Sequence, residues 1–122
     1  MSKKAIVTGG CGFVGSNLVD QLIEQSYQVV VIDDLSYGKK ENCNPAAEYI
    51  FDDFKKILKN DMKITEGTDM VFHLAAEARI QPSFNNPLYT CENNSYGTAI
   101  VCEFARKNNS MIIYSGSSTY YG

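Results

Sequence analysis

Short apolar runs alternate along this chain with longer stripes at helical spacing. Lys4-Ala5-Ile6-Val7-Thr8 is a compact apolar run that stops at glycine, which predicts a strand. From Phe13 to Ser26, the residues Val14, Leu18, Val19, Leu22 and Ile23 fall on one face at helical spacing, so a helix follows the strand directly. Gln28-Val29-Val30-Val31-Ile32-Asp33 is apolar without alternation, as a strand covered on both faces would be, and it ends in an acid. Residues 34–47 carry Ser, Gly, Asn and Pro and read as loop, Glu48 to Phe51 as a third strand, and Lys55 to Lys59 as one or two helical turns. Asp69-Met70-Val71-Phe72-His73 predicts a fourth strand. From Asn86-Pro87 to Lys107, the positions Leu88, Cys91, Ser95, Thr98, Ala99, Cys102 and Ala105 step by three and four, with Asn86 as cap and Pro87 at the first helical position. Met111-Ile112-Ile113-Tyr114 closes the series as a fifth strand.

Strands that alternate with helices across short turns run parallel, with right-handed crossovers. The expected class is α/β: a Rossmann-like parallel sheet of about five strands with helices on both faces. Ligands of such sheets bind at the carboxyl ends of the strands. The unusual residues gather there: a glycine cluster after the first strand, Asp33 after the second, Asp52-Asp53 after the third, His73 after the fourth and a serine cluster after the fifth.

Composition narrows the partners. The 122 residues have the size of one domain, with 44% hydrophobic and 20% charged residues. Eleven basic against 14 acidic residues give a net charge of −3, the wrong sign for holding nucleic acid or anionic lipid. No apolar run approaches the roughly 18 residues of a membrane span, and the start lacks the roughly 7–15 apolar residues of a secretory signal. Cysteines at 11, 43, 91 and 102 form no Cys-x-x-Cys pair and there is one His, so no metal site is expected and a reduced, cytoplasmic setting is the simplest reading.

Thr8-Gly9-Gly10-Cys11-Gly12-Phe13-Val14-Gly15 carries the chemistry. With the spacing Gly-x-x-Gly-x-x-Gly between a strand and a helix, the first glycine allows a tight turn. The next admits a diphosphate to the backbone, and the third lets the helix pack close to the sheet. The N–H groups at the helix start then face the anion. Asp33, 18 residues after Gly15, stands where an acid accepts from the adenosine ribose hydroxyls, which favours NAD over NADP. Lys39 and Lys40 are the nearby basic residues that would reverse that preference. No Gly-Lys-Ser/Thr follows, so this is not a nucleotide triphosphatase loop.

Five segments in order resemble the extended short-chain dehydrogenase/reductases. They are Thr-Gly-Gly-x-Gly-Phe-x-Gly at 8–15, Val-Ile-Asp-Asp-Leu-Ser-Tyr-Gly at 31–38, His-Leu-Ala-Ala at 73–76, Asn-Asn-Ser-Tyr-Gly-Thr at 93–98 and Tyr-Ser-Gly-Ser-Ser-Thr-Tyr-Tyr-Gly at 114–122. Within that group the chain is most similar to nucleotide-sugar epimerases of the UDP-glucose 4-epimerase type, and it covers less than half of a typical member. The resemblance implies that Gly9, Gly12 and Gly15 form the diphosphate turn, with the Phe13 and Val14 N–H groups facing the phosphates, and that Asp33 holds the ribose. It further implies that Asp53 accepts from the adenine amino group, although Asp52 replaces a family glycine. Leu74, Ala75 and Ala76 would line the cofactor channel, and Asn94 would lie near the nicotinamide. Ser117 would hydrogen-bond the sugar hydroxyl that is oxidised, whereas His73 is expected to be structural.

In the family a Tyr-x-x-x-Lys base removes the C4 hydroxyl proton while C4 gives hydride to NAD, which later returns it to the other face. None of the eight tyrosines here has a lysine four positions on. Residues 1–122 are therefore expected to be the NAD-binding part of an epimerase acting on a nucleotide sugar, without its C-terminal substrate domain and inactive alone. Two alternatives stay open: a stand-alone NAD-binding or sensor module, and part of a nucleotide-sugar 4,6-dehydratase, whose usual Thr-Asp-Glu is Ser117-Ser118-Thr119 here. The resemblance also leaves a homodimer open.

Overall fold

The computed structural model describes residues 3–35, 39–60, 62–74 and 87–114, without the side chains of 87–95 and 114. Five strands form one parallel sheet: β1 (Lys4–Thr8), β2 (Gln28–Ile32), β3 (Glu48–Ile50), β4 (Met70–His73) and β5 (Met111–Tyr114). They lie in the order β3-β2-β1-β4-β5. The helices are α1 (Phe13–Glu24), α2 (Phe54–Lys59) and α3 (Pro87–Asn108), with single 3-10 turns at Lys40–Asn42 and Lys63–Thr65.

The central strands are unbroken apolar runs over residues 5–7, 29–32 and 70–72 because both faces are covered. Ile6, Val30, Ile32 and Val71 pack against Phe54, Ile57 and Leu58 of α2 and Ile100, Val101 and Phe104 of α3. Ala5, Val7, Val29 and Val31 point the other way, onto Val19 and Leu22 of α1. Alternate residues of one strand thus serve opposite layers, which is why β1 and β2 show no polar alternation. On the first of these faces α2 and α3 meet closely: a Cβ at Gly97 would stand 2.6 Å from the Phe54 ring.

Element by element, the expected strands and helices are present, with differences at their ends. Strand β2 stops at Ile32, so Asp33 belongs to the turn beyond it. Helix α1 ends at Glu24 rather than Ser26, because Ser26 turns left-handed (φ 67) while its N–H bonds Ile23 O and the Tyr27 N–H bonds Leu22 O. Those two bonds close a helix in the Schellman manner. Within the predicted loop, residues 40–42 make a 3-10 turn. Helix α2 starts one residue early because Asp53 caps it, its carboxylate accepting from Lys55 N–H.

Candidate functional site

Thr8, at the carboxyl end of β1, lies opposite both Ile32 and His73, so the ends of β1, β2 and β4 stand side by side. The chain builds β2 and β3 on one side of β1 and then returns to build β4 and β5 on the other. The crevice outside β1 and β4 is therefore the switch point of the sheet, where open α/β folds take their ligands.

The loop from Gly9 to Gly15 forms one wall. Gly9 turns the chain at φ 76 and donates its N–H to Ile32 O at 2.8 Å. A Cβ at Gly15 would sit 2.3 Å from Gly9 O, so α1 begins directly against the turn. At Gly10 a Cβ would meet Val31 Cγ1 at 2.4 Å, which seats the loop on β2. Gly12 differs from all three. Its backbone is extended (φ −78, ψ 177), and among the described residues the nearest atom to its Cβ would be Gly9 O at 3.6 Å, an ordinary contact.

Among the described residues nothing requires glycine at 12. A bare Cα there instead leaves room beside the start of α1, where no side chain caps the helix and the first turn holds no acid. First-turn N–H groups have no carbonyl four residues back to receive them. Phe13 and Val14 are 83% and 63% exposed. This is a surface of backbone donors under the positive end of a helix dipole, and it suits an anion.

Asp33 is buried, with both carboxylate oxygens engaged by backbone. Oδ2 accepts from Cys11 N–H at 2.9 Å, and Oδ1 from Leu35 N–H at 2.7 Å. It thus fastens the glycine loop to the end of β2 as well as standing at the site expected for a ribose. The Cys11 carbonyl accepts from Lys39 N–H and from Asn42 Nδ2, so residues 39–42 lie over the same loop. The sequence reading missed Asn42 and the side chain of Cys11, because only the folded loop brings them together. Lys40 places its ammonium 5.0 Å from the centre of the Phe51 ring.

On the far wall, Thr8 and His73 are both buried, with Thr8 Oγ1 2.8 Å from His73 Nδ1. Leu74 N–H donates to Thr8 Oγ1 at 3.0 Å. A hydroxyl that accepts from Leu74 and gives its own proton to Nδ1 satisfies all three atoms with a neutral imidazole. Burial holds His73 down to about 4, and its ring meets Phe54 edge-on at 4.9 Å. The expected structural role of His73 fits this setting.

Asp53 stands at the end of β3, where its carboxylate caps α2 and pairs with Lys55 Nζ at 3.3 Å. Asp52 accepts from Asp53 N–H and Lys56 Nζ, which together lower its pKa. Asn94 lies in α3, its side chain outside the described portion, and Ala75, Ala76 and Ser117 fall outside the described residues. Among the described residues no group of three or more His, Cys, Asp or Glu could hold a metal, and no helix is long and apolar enough to cross a membrane.

Solved structures share this arrangement. The UDP-glucose 4-epimerase of Thermotoga maritima, determined with UDP-glucose, is 34% identical and superposes with a TM-score of 0.84 over 91% of this chain and 37% of its own. A UDP-glucose 4-epimerase from Brucella ovis in complex with NAD is 29% identical, with a TM-score of 0.85 over 99% of this chain and 38% of its own. By sequence, the CDP-paratose 2-epimerase of Salmonella typhi is 36% identical over 130 residues, which cover 98% of this chain and 38% of that protein. The chain spans about two fifths of the length of these relatives. Residues 5–122 match the NAD dependent epimerase/dehydratase family over nearly the whole sequence, glycine loop and switch-point crevice included, and the chain belongs to that family.

Proposed function

We propose that residues 1–122 are the NAD-binding portion of a nucleotide-sugar 4-epimerase of the UDP-glucose/UDP-galactose type. The observation that carries this reading is Gly12, whose missing side chain serves no close contact among the described residues and opens the start of α1 to a diphosphate. Gly9 and Gly15 hold the turn, the Phe13 and Val14 N–H groups receive the phosphates, and Asp33 receives the adenosine ribose while keeping the loop in place. Asp53 stands for the adenine, Leu74, Ala75 and Ala76 line the channel, and Asn94 approaches the nicotinamide end. When bound, NAD supplies a hydride acceptor for the sugar C4.

Ser117 positions the C4 hydroxyl in this reading and takes no proton itself. With no tyrosine in the 122 residues followed four positions later by lysine, these residues bind cofactor without turning over substrate. The sugar nucleotide, a homodimer and a cytoplasmic setting belong to the full-length enzyme.

Calorimetric titration of the 122-residue chain with NAD tests the reading. A saturable one-to-one isotherm and no interconversion of UDP-glucose and UDP-galactose are expected. Absence of NAD binding by the folded chain overturns it.

A further inference from the structure

The sulfur atoms of Cys11 and Cys43 lie 3.9 Å apart, although the residues are 32 positions apart in the chain. Cys11 sits in the middle of the glycine loop and is fully buried, whereas Cys43 follows the 3-10 turn that covers that loop and is half-buried. All the polar atoms of the Cys11 backbone are occupied. Its N–H donates to Asp33, and its carbonyl accepts from Lys39 and Asn42. We propose that Cys11 and Cys43 form a redox-closable thiol pair whose disulfide weakens cofactor binding at the glycine loop. This proposal rests on the NAD-binding reading above.

The chemistry is thiol–disulfide exchange with a low-molecular-weight disulfide such as oxidised glutathione. Cys43, the less buried of the two, attacks one sulfur of the oxidant as its thiolate, and the other half leaves as a thiolate that takes a proton. Cys11 then loses its proton to solvent, attacks Cys43 Sγ and expels the second thiolate. Two thiols are oxidised to one disulfide, and the oxidant is reduced to two thiols. The second step is slow, since burial and then the neighbouring Asp33 carboxylate push the Cys11 thiol up to about 12.

Closure reaches the cofactor site through distance. A disulfide requires about 2.05 Å between the sulfurs, so the two sulfur atoms must close by roughly 2 Å, through side-chain rotation and movement of the two segments together. The 39–43 segment already rests on the Cys11 carbonyl, and Gly10 is seated against Val31 with no room to sink further. Whatever side-chain rotation does not supply comes from the Cys11 peptide, and turning that peptide draws its N–H away from Asp33 Oδ2 and disturbs the carboxylate that receives the ribose.

The test compares the reduced chain with the chain equilibrated in oxidised glutathione, by peptide mapping and by NAD titration. A Cys11–Cys43 cross-link is expected, with NAD affinity lower by about 10-fold, within the usual range of coupling between two sites, and restored by dithiothreitol. Cys43→Ser should bind NAD as the reduced wild type does and lose the response to oxidant, while Cys91→Ser and Cys102→Ser should keep it. Cys43 trapped only as a mixed disulfide, a cross-link to another cysteine, or a Cys11–Cys43 bond that leaves NAD affinity unchanged overturns the proposal. If the bond forms in a chain whose reduced form binds no NAD, the cofactor reading fails instead.

Discussion

Asp33 Oδ2 accepts the Cys11 N–H at 2.9 Å across 22 residues, tying the turn after β2 to the glycine loop after β1. The residue expected to recognise a ribose is therefore also part of the fold. Replacing it should produce two separable losses. Asp33→Ala leaves the Cys11 and Leu35 N–H groups without their acceptor, and a buried donor without a partner costs about 1–3 kcal/mol. Urea denaturation should show that loss without any NAD present. A variant as stable as the wild type would show that the carboxylate is not a latch.

Because Asp33 has both roles, lost NAD binding in that variant is ambiguous, and Gly12 and Gly15 make a cleaner pair. A methyl at 12 has ordinary contact distances, whereas one at 15 meets Gly9 O at 2.3 Å. Gly12→Ala should cost no more than about 1 kcal/mol, the penalty for alanine at a helix N-cap. Gly15→Ala should cost more, since backbone must move. Gly12→Ala should nevertheless weaken NAD by at least about 10-fold, or about 1.4 kcal/mol. Thermal melts and calorimetry on both variants decide it, and unchanged NAD affinity in Gly12→Ala would remove the diphosphate contact from position 12.

Helix α1 ends on a serine in the left-handed region, Ser26 at φ 67. For a residue with a Cβ that conformation costs roughly 1–2 kcal/mol, and glycine relieves most of it. Ser26 is exposed and far along the chain from the glycine loop. Ser26→Gly should raise stability by about 0.5–1 kcal/mol after the greater entropy of glycine in the unfolded chain is set against the gain. NAD affinity should be unaltered, and a fall in the urea midpoint would contradict the assigned cap.

The sheet was legible because parallel strands covered on both faces read as unbroken apolar runs, as Ala5 to Val7 and Val29 to Ile32 do. The glycine loop was legible from spacing, but spacing treats Gly9, Gly12 and Gly15 alike, and only the packing separates those the fold needs from the one it does not. The adenine role of Asp53 comes from the family resemblance, while its capping of α2 rests on the ordinary preference of aspartate for the residue before a helix. The approach of Cys43 and Asn42 to Cys11 had no signal. It depends on how the segment after β2 folds back, which neither periodicity nor motif specifies.

His73 is the only histidine in the chain, and burial holds it near 4 against an ordinary value of 6.5. Above pH 6.5 the imidazole is neutral whether the protein is folded or not, and it adds no pH dependence. Between 6.5 and about 4 the unfolded chain takes a proton that the folded one refuses, so stability falls as pH falls through that window. The whole gap corresponds to about 3–4 kcal/mol at roughly 1.4 kcal/mol per pH unit. A proton on Nδ1 would also turn that nitrogen into a donor toward Thr8 Oγ1, which already accepts from Leu74. His73→Asn carries no titrating group, so its stability should decline less steeply from pH 6.5 to 4 than that of the wild type, whatever its stability at neutral pH. Carboxylates common to both chains contribute equally and drop out of the difference. Urea denaturation at half-unit steps of pH gives that difference directly, and parallel curves through the window would mean that His73 is protonated in the fold and that Thr8 does not donate to it.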